Sequence, residues 1–98
     1  MNKKQELETI KKKLIPILKR NKITRAGIFG SYARGKQNKK SDIDILVEID
    51  EKVGLIEFIE LKITIQELLR KRIDLVEYNT IRPEIRENII QDEISILS

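Results

Sequence analysis

Apolar residues recur at three- and four-residue spacing near the start of the chain: Leu7, Ile10, Leu14, Ile17 and Leu18, with lysines between them. That spacing predicts an amphipathic helix over residues 2–20. Pro16 falls inside it and is expected to kink or restart it. Asn21 is a candidate for the left-handed residue that ends it. The segment ITRAGIF, 23–29, reads as a short strand. Gly30 follows, and Ser31-Tyr32-Ala33-Arg34 is expected to open a short helix with Ser31 in its first positions. Residues 36–40 are polar and basic, a loop. DIDILVEI, 42–49, alternates and ends apolar, which predicts the central strand. After Gly54, residues 55–70 carry a broad apolar face. Leu61, Ile63 and Ile65 also fit a strand, but the length of the segment and the run Gln66-Glu67-Leu68-Leu69 favour helix. RIDLVEY, 72–78, is a third strand. Pro83 suits the first turn of a last helix reaching about residue 96.

The expected order is therefore α-β-α-β-α-β-α. It predicts an α/β (α+β) fold in which a small mixed three-stranded sheet is flanked by helices. The third strand follows the second through a helix, so that pair is expected to be parallel with a right-handed crossover. The first two strands are joined by a short excursion, so they are expected to be antiparallel. This topology gathers the end of the first strand and the starts of the second and third.

A length of 98 residues suits one domain, expected over 1–98. Its surface-to-volume ratio leaves little stability to spare and no second domain to close over a large substrate. Cysteine and histidine are both absent. That excludes disulfides, thiolate metal sites and the usual neutral-pH general base, so carboxylates must carry any catalysis. The net charge of +4 suits a polyanionic ligand such as a nucleoside triphosphate, although a solvated surface also accounts for it. The abundance of Ile, Lys and Glu has a thermophilic flavour that an AT-rich genome would reproduce. The Lys-rich amino terminus has no apolar stretch behind it and no segment is long enough to span a bilayer, so a cytoplasmic protein is expected.

The candidate chemistry lies where the topology converges. Asp42 and Asp44 are two apart on a strand and leave the same face. Aspartate is disfavoured in strands, and two carboxylates on one face repel unless a cation sits between them. A hard divalent ion such as magnesium answers both. Taken alone, an Asp-x-Asp is more often a polar strand entrance. Asp74 adds to it, standing in the apolar run Ile73-Asp74-Leu75-Val76, where Arg72 is its alternative partner. Three carboxylates at one sheet edge can hold two metal ions about 4 Å apart for phosphoryl displacement. Gly30 lets a backbone approach phosphate, and Ser31 at a helix start either contacts that phosphate or only caps the helix. Arg34, one turn on, points at the same phosphates or at solvent. Lys36, Lys39 and Lys40 either attract a triphosphate or are simply solvated.

Gly30-Ser31, ten residues, then Asp42-Ile43-Asp44 resembles the signature of the DNA polymerase β-like nucleotidyltransferases. Those fixed residues at that spacing arise by chance on the order of once per thousand chains of this size. The longer strings GSYARGKQNKKSDIDILVE and RIDLVEY are similar to the minimal nucleotidyltransferases, the small prokaryotic MNT proteins, over most of the chain. The resemblance implies that Gly30 and Ser31 hold the nucleotide β and γ phosphates. It implies that Asp42 and Asp44 bind magnesium and that Asp74 helps deprotonate the attacking hydroxyl, with two Mg2+ ions and ATP as substrate. It further implies an antitoxin paired with a HEPN-domain toxin, moving AMP from ATP to a toxin tyrosine. The missing helical domain of larger relatives favours a protein acceptor, so nucleic acid is not expected as the main ligand. Two alternatives stay open: an antitoxin acting by contact alone, and a nucleotidyltransferase with a small-molecule or RNA acceptor.

Overall fold

The computed structural model describes residues 2–50 and 52–97. Helix α1 (Lys3–Arg20) starts at a capping box, in which Asn2 and Gln5 satisfy each other's backbone amides. It buries Ile10, Leu14, Ile17 and Leu18. The helix runs on through Pro16 without restarting. Pro16 lies on its exposed side, where water can meet the carbonyl that a proline leaves without an amide. Asn21 is not left-handed either. Its side chain donates to the Ile17 carbonyl at 2.7 Å, and Lys22 takes the positive φ of 61°.

Strand β1 (Arg25–Phe29) leads into the short helix α2 (Gly30–Ala33). Strand β2 (Ile43–Glu48) follows, then α3 (Leu55–Leu69) and β3 (Ile73–Glu77). A 3-10 turn (Tyr78–Thr80), which the pattern did not predict, precedes α4 (Pro83–Asp92), the last of the expected elements. Each strand is shorter than its sequence pattern: Ile23 and Thr24, Asp42 and Ile49, and Arg72 and Tyr78 lie outside the three strands. The pairings are as expected: β1 with β2 antiparallel, β2 with β3 parallel.

The sheet has a fourth strand that the pattern did not predict. Helix α4 stops at Asp92, and β4 (Ile94–Leu97) pairs antiparallel with β1, giving the order β3-β2-β1-β4. The cause is local. Glu93 is extended, and its carboxylate accepts a hydrogen bond from the Tyr78 hydroxyl and lies 3.9 Å from the Arg25 guanidinium. Arg25 also covers the Tyr78 ring at 4.1 Å. A β-carbon on Gly27 would collide with the Glu93 side chain, so that glycine leaves the seat open. Ile94 and Ile96 then continue with strand alternation.

The sheet buries its two faces unequally. One face sends Ala26, Ile28, Ile43, Ile45, Val47, Ile73 and Leu75 against α1 and α3, forming the main core. On the other face, Leu46, Tyr78 and Ile81 form a smaller cluster with Phe29, Val76 and Ile89. This second face is covered only toward one end, beneath the 3-10 turn and α4. Its open end carries the carboxylates. Helix α3 keeps Leu55, Ile56, Ile59 and Ile63 exposed. No helix among the described residues is long and apolar enough to cross a membrane.

Candidate active site

The site is a row across three strands. Phe29 at the end of β1 stands opposite Asp44 on β2, and Asp44 stands opposite Asp74 on β3. Residues in register on neighbouring strands send side chains to one face, so Asp44 and Asp74 project together. Asp42, two residues before Asp44, joins them at the strand entrance. The topology thus brings together the three expected carboxylates.

Gly30 closes the row on the β1 side. Its φ is +70°, a region costly for residues with a β-carbon. A β-carbon there would also run into the Asp44 carboxylate. Two independent constraints therefore demand glycine, and the Asp44 carboxylate lies against the backbone at the mouth of α2.

Ser31 occupies the second position of α2, not the cap. Phe29 is the N-cap residue and supplies no side-chain hydrogen bond. The Ser31 hydroxyl makes no hydrogen bond among the described residues, so capping does not explain this serine. The first amides of a helix lack intrahelical partners, and here no side chain serves them. Arg34 is half exposed and lies 3.6 Å from Asp92. It is also close enough to Asp44 to favour that group's ionised form.

Electrostatics single out Asp44, whose pKa is pushed up to about 6. Burial is the largest cause, followed by the charges of Asp74 and Asp42, with Arg34 pulling the other way. Asp74 is exposed and pairs with no cation among the described residues. Arg72, considered above as its partner, instead holds Asp42 with Nε to Oδ1 at 3.1 Å. The register explains the choice: the Arg72 carbonyl accepts from the Ile43 amide at 3.0 Å, which sets Arg72 beside Asp42.

The donor set suits a hard divalent cation. It is all carboxylate oxygen, and Asp44 resists ionisation because it is partly buried beside two other acids, which a cation would offset. The cage is not closed as the side chains stand. Among the described residues no three Asp, Glu, His or Cys side chains converge as a metal site. Asp42 is engaged by Arg72, and this exposed ion pair is of the kind that costs little to open.

Residues 12–98 match the family model described as polymerase beta, nucleotidyltransferase. The chain belongs to that family. Among its relatives, a provisionally named protein adenylyltransferase of Methanocaldococcus jannaschii is 43% identical over 91 residues, covering 93% of this chain and 98% of that protein. A solved structure of a provisionally named minimal nucleotidyltransferase superposes with a TM-score of 0.82 at 30% identity, over 96% of this chain and 95% of the other. A crystal structure of a toxin–antitoxin with AMP-PNP gives a TM-score of 0.79 at 27% identity, over 90% of this chain and 73% of its counterpart. The mixed sheet, with its polar row at one end, is thus the nucleotidyltransferase fold.

Sequence reasoning missed two supports of this nucleotidyltransferase site. Asp92 at the end of α4 reaches Arg34, and nothing in the spacing pairs residues so far apart. Gln37 is buried, and its amide donates to Glu6 of α1 at 3.3 Å, which fixes the loop between α2 and β2. Its position inside a basic run gave no sign of burial.

Proposed function

We propose that this chain is a magnesium-dependent protein adenylyltransferase, an antitoxin of the MntA type that moves AMP from ATP onto a tyrosine of a HEPN-domain toxin. The observation that carries the reading is the row Gly30–Asp44–Asp74. It sets the glycine backbone at the mouth of α2 against the Asp44 carboxylate, with the exposed Asp74 carboxylate on the other side. Family membership, the adenylyltransferase name of the close relative and the toxin–antitoxin fold match all support it.

Gly30 and Ser31 are assigned to the β and γ phosphates. The glycine admits them to the backbone, and the free serine hydroxyl and uncapped amides donate to them. Arg34 adds positive charge on the same side. Asp42, Asp44 and Asp74 are assigned to hold two magnesium ions, with Asp42 exchanging Arg72 for the metal. Bound there, magnesium supplies countercharge for the triphosphate and lowers the pKa of a coordinated hydroxyl.

Asp74 faces the open edge, where an acceptor hydroxyl can approach, and its carboxylate is assigned to take that proton. A bond forms between the acceptor oxygen and the α-phosphorus, the α–β anhydride bond breaks, and pyrophosphate leaves. A tyrosine hydroxyl, with a pKa near 10, needs such help in a chain without histidine. We assign the activity to residues 1–98 acting as one domain in the cytoplasm, where ATP is available.

Co-expression with a HEPN-domain toxin tests the reading. Mass spectrometry of the toxin is expected to show AMP on a tyrosine. The Asp42→Asn/Asp44→Asn double variant should leave the toxin unmodified and active. Undiminished neutralisation by that variant would instead establish an antitoxin that acts by contact alone.

A further inference from the structure

Five cations converge on a pocket of about 390 Å³ outside the nucleotide side of the site. Lys39 and Lys40 come from the loop before β2. Arg70, Lys71 and Arg72 come from the turn between α3 and β3. Asp42 is its one carboxylate, already paired with Arg72. The local excess of positive charge equals the net charge of the whole chain, +4. So much like charge in one place disfavours the fold and calls for an anion.

Both walls are held in place. Asn38 accepts from the Lys40 amide at 2.8 Å, and Ser41 accepts from the Asn38 amide at 2.9 Å, so Lys39 and Lys40 sit on a closed turn. Arg70 adopts a left-handed conformation with φ 55°, which turns the chain sharply into β3. The Arg72 carbonyl then locks to the Ile43 amide.

The position of the pocket decides what it meets. The sheet order places Gly30 and Ser31 on the β1 side of Asp44 and this pocket on the β3 side, next to Asp42 and two residues from Asp74. None of Gly30, Ser31 and Arg34 lines it. It therefore flanks the acceptor, not the triphosphate. No aromatic residue lines it either, so it lacks the stacking platform on which single-stranded nucleic acid is held. We propose that this pocket receives acidic side chains of the acceptor protein beside the hydroxyl that takes AMP. The proposal rests on the adenylyltransferase reading and adds the sequence class of its acceptor. The cations steer the partner into register and select against neutral surfaces.

The test compares two labelled peptides, Glu-Glu-Tyr-Glu-Glu and Gln-Gln-Tyr-Gln-Gln, by fluorescence anisotropy at low and high salt. The native protein is expected to bind the acidic peptide at low salt, at least about tenfold more tightly than the neutral one, and to lose that preference at high salt. Lys39→Glu/Lys40→Glu/Lys71→Glu should abolish the preference while Mg-ATP affinity by calorimetry stays native. Lys39→Gln/Lys40→Gln/Lys71→Gln, without charge reversal, should weaken it to a lesser degree and serves if the first variant does not fold. Equal binding of the two peptides overturns the proposal. So does loss of Mg-ATP affinity in the variants, which would assign the pocket to the nucleotide. A decauridylate that binds the native protein in place of the acidic peptide also overturns it, in favour of RNA. Failure of the adenylyltransferase reading looks different: the toxin carries no AMP although the acidic peptide still binds.

Discussion

At the scale of the residue, the site separates stability from function. Ser31 caps nothing, so Ser31→Ala should change stability by no more than about 0.5 kcal/mol in urea denaturation. AMP transfer should fall at least about tenfold if the hydroxyl meets a phosphate, since a hydrogen bond to a charged group contributes about 1.5–3 kcal/mol. Native transfer by this variant would remove Ser31 from nucleotide binding. Asp44 behaves oppositely, because its pKa of about 6 lies above the ordinary 3.8. The folded state holds the proton more tightly than the unfolded chain does. The resulting stabilisation is complete below pH 3.8 and is lost as pH rises through about 6. Solvent screening of this half-buried group limits the effect to about 1 kcal/mol. Asp44→Asn should therefore raise metal-free stability at pH 7 and flatten this part of the pH profile, while abolishing transfer. A less stable Asp44→Asn would show that the carboxylate is compensated in a way the row of acids does not provide.

Elements were legible in the sequence wherever a periodic pattern met a turn residue. The helix at 55–69 and the strands at 43–48 and 73–77 each follow a run of matching period, and the antiparallel and parallel pairings follow from connection lengths alone. The three carboxylates and Gly30-Ser31 were legible for the same reason, being placed by strand ends and register. Residues 93–97 were not. Their identity as a strand depends on Glu93 reaching Tyr78 and Arg25, a tertiary contact with no local signal. Pro16 does not restart its helix, since the sequence gives its missing amide but not its place on the exposed side. The Arg72–Asp42 pair was not legible, and Arg72 stood open as a partner of Asp74, because only the register of β2 and β3 decides which acid Arg72 meets. Strand β4 accordingly has a specific weak point. Burial and the Glu93 hydrogen bond hold the Tyr78 hydroxyl well above its ordinary pKa, so it stays a donor throughout the stable pH range. Tyr78→Phe should cost about 1–2 kcal/mol, because it deprives a largely buried carboxylate of its donor. Hydrogen exchange should show the loss concentrated at residues 94–97. Uniform loss of protection would instead mean that β4 unfolds only with the whole chain.

At the scale of the whole molecule, the open carboxylate end of the sheet makes ligand and stability one question. The chain carries its own opposition: Asp44 resists charging, Asp42 pairs with Arg72, and cations crowd the neighbouring pocket. On the proposed reading, magnesium and nucleotide would relieve the first two together, since the carboxylates would complete a cation's shell only in part and phosphate oxygens would supply more. Stabilisation should therefore need both. A ligand at 100 times its dissociation constant adds about 2.7 kcal/mol, and for a chain of this size each kcal/mol moves the midpoint by about 4–8 °C. Mg-ATP at that ratio should raise the melting midpoint by more than about 10 °C, whereas ATP with chelator should give a small fraction of that shift. Asp42→Asn/Asp44→Asn should show no shift with Mg-ATP, even though its metal-free midpoint lies at or above the native one. Differential scanning fluorimetry reads all three. An equal shift in chelator would mean that phosphate binding at Gly30-Ser31 suffices without the carboxylates. The row of acids across the sheet end would then be an electrostatic burden that no metal relieves, and the assignment of magnesium to it would fall.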